Sequence, residues 1–229
     1  MNAKKGLKVW IVKEIVGLVL TWLCLFIPAW SIGWVNGWLF FSVVVFSKVL
    51  GDWWLLRTQP GMLVQRATGK HEQTKPWDKL LAPLVAGGSL FISIVAGLDE
   101  HFAWLGFGFG WLIWVGLGFI LLGSLLVFWA MASNPFFDAT VSIQTERDHS
   151  VAMQGPYAFV RHPGYLGIFF LFLFMPLVLD SVWACIPALT SIIALILRTW
   201  LEDRTLKAEL PGYAEYARKV KFRLFPNVW

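Results

Sequence analysis

The sequence contains few charged residues and few cysteines. Asp, Glu, Lys and Arg make up 14% of its 229 residues, whereas they make up about 25% of an average soluble domain. A chain so poor in charge is not expected to fold as a soluble globular protein. The two cysteines, Cys24 and Cys185, both lie in apolar segments. This placement argues against a disulfide framework and against a cysteine-ligated metal site, and we expect no metal cofactor.

Two signatures of nucleotide and nucleic-acid binding are also missing. No Gly-x-Gly-x-x-Gly motif follows a predicted strand, which excludes the soluble dinucleotide-binding fold. The glycine-rich segment 106–110 lies inside an apolar run, where we expect its glycines to serve helix packing. The 19 Lys and Arg residues give a net charge of +5. They form no basic stripe interleaved with exposed aromatics, so we expect no nucleic-acid partner.

Long apolar segments dominate the sequence. Hydrophobic residues make up 58% of the chain, which includes 15 Trp and 19 Phe. A helical membrane span needs about 20 apolar residues. The apolar runs predict spans at about 15–32, 37–56, 80–98 and 102–132, followed by a hairpin between 165 and 200. The predicted fold class is therefore all-α, a polytopic membrane helical bundle of about six spans.

This bundle is predicted to form one integral membrane domain over residues 1–229. Residues 1–132 would hold four N-terminal spans. Residues 133–229 would hold a cofactor-binding loop, the helical hairpin and a C-terminal tail. Nothing in the composition indicates a separate soluble domain.

The positive charges predict the orientation of the spans. Four lie before the first span, five in the connector 57–79, two in the loop 133–163 and seven from Arg198 onward. The opposite turns near 33–37, 98–102 and 180–183 hold none. Positive residues favour the cytoplasmic side of a membrane. We therefore expect both termini and the active site to be cytoplasmic, in a bacterial inner membrane.

A first polar group lies in the turn between residues 155 and 165. It contains Arg161, His162 and two phenols, Tyr157 and Tyr165, and Pro163 fits an early helical position. Free backbone N–H groups at such a helix start suit a carboxylate or another anion. An interfacial anchor of aromatic and arginine side chains is the alternative interpretation.

A second polar group lies where the last predicted span emerges from the membrane. Arg198 and Glu202 are four residues apart, with Asp203 and Arg204 beside them. A salt bridge at a solvated helix end would explain this pattern equally well. Because the intervening hairpin returns the chain to the side that it left, the two polar groups can meet. Together they would form a pocket with cationic and anionic walls, suited to a zwitterionic ligand.

These residues carry a family resemblance. The stretch 134–229 resembles the isoprenylcysteine carboxyl methyltransferase and phospholipid methyltransferase superfamily, of the bacterial membrane type. The resemblance is carried, in order, by His149, Gly155-Pro156-Tyr157, Arg161-His162-Pro163, Tyr165, Arg198, Glu202-Asp203, Leu206, Gly212-Tyr213 and Tyr216. The connector residues Lys75-Pro76-Trp77-Asp78 resemble bacterial members more weakly. The family's usual Glu-Glu pair is here Glu202-Asp203.

The resemblance implies an S-adenosylmethionine-dependent methyltransferase. The cofactor would be lined by His149, Gly155, Tyr157, His162, Tyr165 and Leu166. Glu202 and Asp203 would hold its ammonium or ribose hydroxyl groups. Arg161 or Arg198 would face a carboxylate of the cofactor or the substrate, which makes Arg161, His162 and Arg198 the candidate catalytic residues.

The resemblance also implies a lipophilic acceptor. A carboxylate on a prenylated or otherwise lipophilic molecule is expected first, and a phospholipid amine or a thiol stays open. The acceptor would be a small lipophilic molecule or a lipid-anchored one, and it would enter from the membrane lipid between helices.

Two other classes of function fit parts of the pattern. A membrane reductase that uses NADPH is one, because sterol reductases have a similar Arg-His-Pro-x-Tyr turn. A non-catalytic transport or lipid-binding protein is the other. Cofactor binding distinguishes the three.

Overall fold

The computed structural model describes residues 3–69, 74–108 and 110–229. Within these ranges the chain forms eight α-helices and no strand. The helices are α1 (Ala3–Ala29), α2 (Val35–Thr58), α3 (Pro60–Thr68), α4 (Asp78–Phe102), α5 (Gly110–Ser133), α6 (Pro163–Val178), α7 (Cys185–Glu209) and α8 (Tyr213–Lys219). Residues 70–73 of the predicted connector lie outside the described residues.

Five of the helices are long and apolar enough to cross a membrane, namely α1, α2, α4, α5 and α7. The sixth predicted span is α6, which has only 16 residues and rises about 24 Å, against roughly 30 Å for the hydrocarbon core. Large apolar side chains such as Leu80 and Trp111 face outward, where they can contact lipid. The predicted polytopic helical bundle is confirmed, and the protein is an integral membrane protein.

The prediction that residues 106–110 lie within a span is wrong. Helix α4 continues to Phe102 and α5 begins only at Gly110. Two carboxylates hold the intervening loop: Asp180 accepts the backbone N–H groups of Phe107 and Gly108, and Asp99 accepts that of Leu105. Gly108 has a φ of +70°, in the left-handed region that glycine favours. Gly106 and Gly108 therefore serve a loop, and Phe109 lies outside the described residues.

Helix α3 was not expected within the connector. It begins at Pro60, whose missing N–H suits the first turn of a helix. Gln59 Nε2 donates to the carbonyl of Ala132 at 2.9 Å, and Lys13 Nζ donates to that of Ala67 at 2.8 Å. These bonds fix α3 between α1 and the end of α5. The same end of the bundle carries the loop 134–162 and the tail 210–229, and we call it the loop end.

Helices α5 and α6 pack closely through glycines. A Cβ atom added to Gly123 would lie 2.6 Å from the carbonyl oxygen of Gly167, so the two backbones leave no room for a side chain. Small residues allow this approach between membrane helices. The contact positions α6, whose first residues enter the site described below.

Replacement of Gly123 by Ala is therefore expected to destabilise the protein. The added methyl group overpacks the α5–α6 contact, and we expect a loss of about 1–3 kcal/mol. Gly118→Ala in the same helix is the control, because a Cβ atom there meets nothing within 4 Å. Thermal unfolding in detergent measures both variants. Equal melting temperatures for the two would contradict the packing argument.

Candidate active site

The turn before α6 depends on a glycine. Gly155 has a φ of +60°, and a Cβ atom added to it would lie 3.0 Å from Trp129 Nε1. Neither condition suits a residue with a side chain. A short 3-10 turn follows at Gly155–Ala158, and Pro163 starts α6. The glycine thus directs the chain from α5 across the loop end into α6.

The end of this turn pairs with the C-terminal tail. The N–H of Arg161 donates to the carbonyl of Phe222 and that of His162 to the carbonyl of Arg223, each at 2.9 Å. The expected free N–H groups at the start of α6 are not these two amides, which precede the helix and are paired. Their partners lie about 60 residues further along the chain, where no local pattern could indicate them.

Arg161 forms a buried bidentate ion pair with Asp203. Its Nε lies 2.7 Å from Oδ1 and its Nη2 lies 3.3 Å from Oδ2. The remaining nitrogen, Nη1, donates to the carbonyls of Val220 and Lys221. Arg161 is 5% exposed and Asp203 is 1% exposed. The guanidinium therefore joins the turn, α7 and the tail.

Asp203 also accepts hydrogen bonds from three other side chains. They are the Tyr213 hydroxyl at 3.2 Å, Lys207 Nζ at 2.9 Å and Arg223 Nε at 3.0 Å. The carboxylate oxygens are thus occupied by protein donors. Asp203 is placed to position Arg161 and Tyr213.

Glu202, the neighbour of Asp203, is in a different environment. The Tyr165 hydroxyl donates to its Oε2, and the ring of Tyr165 stacks on His162 with 5.8 Å between centroids. The other oxygen, Oε1, lies 4.0 Å from His162 Nδ1, which is beyond hydrogen-bond distance. The side chain is 20% exposed. One carboxylate oxygen is therefore open to a cationic ligand group.

Arg198 pairs with Asp78, which belongs to the connector resemblance but was not among the predicted site residues. Its Nε lies 2.7 Å from Oδ1 of Asp78 and its Nη2 lies 3.1 Å from Oδ2. Nη2 also donates to the carbonyl of Ala139, and Asp78 accepts the N–H of Val141 at 2.6 Å. Asp78 is fully buried. An acidic residue at the first turn of a helix was the available signal, but it indicates a helix start and no distant partner.

His149 lies in the loop between α5 and α6. Its Nδ1 accepts the N–H of Gln144 at 3.2 Å, and its ring stacks on Phe136 with 4.5 Å between centroids. Burial, with Arg147 close by, lowers the pKa of His149 to about 4. The imidazole is therefore neutral at physiological pH.

Three buried phenols complete the polar wall. The Tyr216 hydroxyl donates to the carbonyl of Tyr157 at 2.7 Å, and the Tyr157 hydroxyl accepts from Asn134 at 3.4 Å. Burial raises the pKa values of Tyr157, Tyr213 and Tyr216 above the ordinary value. These side chains are uncharged hydrogen-bonding groups.

A cavity of about 360 Å³ lies among these groups. Seven of the ten predicted site residues line it: His149, Tyr157, Arg161, His162, Tyr165, Arg198 and Glu202. Among the described residues, Gly155, Leu166 and Asp203 are outside this lining. The opposite wall is apolar and comes from α4 and α6, with Ala82, Val85, Ile168, Leu171 and Phe172. Arg66 of α3 and Tyr213 of α8 also line the cavity and were not among the predicted site residues.

Replacement of Asp203 by Asn is expected to destabilise the protein by about 3–5 kcal/mol, because it leaves the buried guanidinium of Arg161 without a counter-charge. Lys207→Gln is the control, since it removes only a partly exposed donor to the same carboxylate. Thermal or denaturant unfolding in detergent compares the two. A loss in Asp203→Asn no larger than in the control would show that Asp203 does not hold the site together.

The low pKa of His149 predicts a dependence of stability on pH. The folded state keeps the imidazole neutral, whereas the unfolded chain protonates it below about pH 6.5. The stabilising contribution is therefore present above pH 6.5 and is lost as the pH falls towards 4. We expect a loss of roughly 1 kcal/mol between pH 7 and pH 5, since the ring is partly open to solvent. Melting temperatures at both pH values should differ less for His149→Gln than for the wild type.

Comparisons with known proteins agree with this geometry. A model of the isoprenylcysteine carboxyl methyltransferase (ICMT) family matches residues 114–208. The protein-S-isoprenylcysteine O-methyltransferase of Schizosaccharomyces pombe is 34% identical over 91 residues, which are 39% of this chain and 39% of that protein. The matched part thus spans about two fifths of the curated relative's length. The resemblance that the motifs predicted is confirmed, and residues 114–208 of this chain are similar to the isoprenylcysteine carboxyl methyltransferase family.

Proposed function

We propose that the protein is an S-adenosylmethionine-dependent methyltransferase that acts at the membrane on a lipophilic acceptor. One observation carries the proposal: a single cavity has a polar wall around Glu202 and an apolar wall from α4 and α6. A polar cofactor and an apolar acceptor can therefore meet in it. The similarity of residues 114–208 to a methyltransferase family supports the same conclusion.

The polar wall fits the cofactor. Oε1 of Glu202 can accept the ammonium group, and the neutral His149, Tyr157 and Tyr165 can face its uncharged parts. When bound, S-adenosylmethionine supplies an activated methyl group on a sulfonium. A cationic sulfonium is tolerated beside Arg161 and Arg198 because Asp203 and Asp78 balance both guanidinium charges.

A carboxylate is the acceptor that the site suits best. A carboxylate oxygen needs no base, whereas an amine or a thiol has to lose a proton before attack. His149 is a weak base because its pKa is about 4. Positioning and the exclusion of water by the buried wall then supply the catalysis. His162, Arg161 and Arg198 are proposed to orient the reacting groups, and the ion pairs of both arginines hold them in place for that role.

The loop end is proposed to face the cytoplasm. Helix α1 begins there, α3 and the loop 134–162 lie there, and the basic tail after Arg198 ends there. The bias of Lys and Arg towards this end supports the orientation. The cofactor would reach the cavity from the cytoplasm, and the acceptor would enter it from the lipid.

Binding of S-adenosylmethionine to the detergent-purified protein tests the proposal. Isothermal calorimetry should show saturable binding, which Glu202→Gln weakens roughly 10–100-fold because the ammonium group loses its counter-charge. Glu215→Gln, on the exposed face of α8, is the matched control and should bind normally. His162→Ala should also weaken binding.

A folded sample that binds no S-adenosylmethionine would falsify the proposal. Titration with NADPH then decides whether a reductase replaces it. A protein that binds neither cofactor would point to a non-catalytic membrane role.

A further inference from the structure

Three arginines line the cavity, and Arg66 is the one that lacks a bidentate ion pair with an aspartate among the described residues. Arg161 and Arg198 each form a bidentate pair with an aspartate. Arg66 also lines the cavity, but its Nη1 atom is buried and has no hydrogen-bond partner among the described residues. A buried cationic donor without a partner is costly, which makes it a candidate for binding a ligand.

The position of Arg66 is fixed by the surrounding structure. Helix α3 is held at its start by Gln59 and near its end by Lys13. The guanidinium carbon lies 5.4 Å from the centroid of the Phe137 ring, a distance at which a cation is attracted to the ring face. The side chain is thus held at the wall of the cavity, where its Nη1 atom is buried.

The burial of Arg66 also favours an anionic ligand. Burial lowers the pKa of Arg66 below its ordinary value, an effect that Asp138 and Glu14 oppose and Arg198 strengthens. The guanidinium nevertheless stays charged, because an ordinary arginine pKa is above 12. A desolvated cation that faces a cavity gains most from an oxyanion that binds two of its nitrogens.

We propose that Arg66 forms an oxyanion-binding subsite for the head group of the lipophilic acceptor. The inference rests on the proposed function and adds to it the residue that recognises the acceptor. Arg66 lies on α3, and the apolar wall residues Ala82 and Val85 lie on the next helix, α4. Glu202 lies on α7, within the region that the family model matches. The head group is a carboxylate, and a lipid phosphate would present the same oxyanion chemistry.

Methylation of the head group would weaken its binding to Arg66 and so favour release of the product. Methyl transfer to a carboxylate forms an oxygen–carbon bond, breaks the sulfur–carbon bond of the sulfonium and removes one positive and one negative charge. The product is a neutral ester and a neutral thioether. The ester loses the ion pair and the bidentate hydrogen bonds that a carboxylate forms with Arg66, so it should bind more weakly than the acid.

A pair of fluorescent probes tests the subsite without turnover. Pyrene-labelled dodecanoic acid and its methyl ester are titrated into the protein, and energy transfer from tryptophan reports binding. The wild type should bind the acid roughly tenfold more tightly than the ester. Arg66→Gln should bind both probes equally. Arg57→Gln is the matched control, because Arg57 also lies over an aromatic ring, that of Trp53, but is exposed and outside the cavity lining among the described residues.

The binding of S-adenosylmethionine is measured on the same three proteins. It should be unchanged in Arg66→Gln. Weaker cofactor binding with an unchanged preference for the acid would overturn the inference, because Arg66 would then serve the cofactor. An acid preference that survives in Arg66→Gln would overturn it as well. The wild type could bind no S-adenosylmethionine and still prefer the acid in a way that Arg66→Gln abolishes. That result would support the subsite and reject the proposed methyltransferase activity.

Two further measurements cover the remaining outcomes. Pyrene-labelled phosphatidylethanolamine replaces the acid in a parallel titration, and an Arg66-dependent affinity for it alone would support the subsite with phosphate as the oxyanion. If Arg66→Gln does not fold, Arg66→Lys replaces it in the titration. This variant keeps the positive charge and should keep part of the preference for the acid. Loss of the preference in a folded Arg66→Lys to the level of the ester would count against charge recognition.

Discussion

The carboxylate of Asp203 is the interaction on which the site depends. It neutralises Arg161 and accepts from Tyr213, Lys207 and Arg223, so the turn before α6, the end of α7, α8 and the tail meet at one buried group. Removal of one partner from such a network leaves uncompensated charges in a low dielectric. Glu202, the adjacent residue of α7, is oriented by the Tyr165 hydroxyl, which leaves its other carboxylate oxygen open.

A second ion pair links the two parts of the chain. Asp78 starts α4, outside the matched region, and Arg198 lies on α7, inside it. Arg198 lies over the ring of Tyr165, 5.4 Å from its centroid, and Tyr165 donates to Glu202. Contacts thus join α4, which supplies part of the apolar wall, to the polar groups around Glu202.

The features predictable from the sequence were those encoded locally. Apolar runs of membrane length predicted the spans, and the hairpin between 165 and 200 predicted that the turn at 155–165 and Glu202 can meet. Helix α3 was not predicted, because nine residues are too few to show a helical periodicity of apolar residues within a polar connector. The loop after Phe102 was predicted to be part of a span. Its non-helical conformation depends on hydrogen bonds to Asp180, more than 70 residues away. The partner of Arg198 lies 120 residues away, and Arg66 is distinguished only by a missing partner, which a sequence cannot show.

The charges of the cavity fit the chemistry proposed for it. Arg161 and Arg198 are balanced by aspartates, His149 is neutral, and the wall also carries the anions Glu202 and Asp138 and the cation Arg66. In the proposed reaction, a sulfonium and a carboxylate enter as opposite charges and leave as neutral products. Such a reaction loses charge as it proceeds, so a dry, low-dielectric cavity favours the transition state over the separated ions more than water does. Methyl transfer to a carboxylate in this cavity therefore depends on orientation and the exclusion of water more than on a proton-transfer group. The fixed ion pairs of Arg161 and Arg198 and the neutral imidazole of His149 are consistent with this requirement.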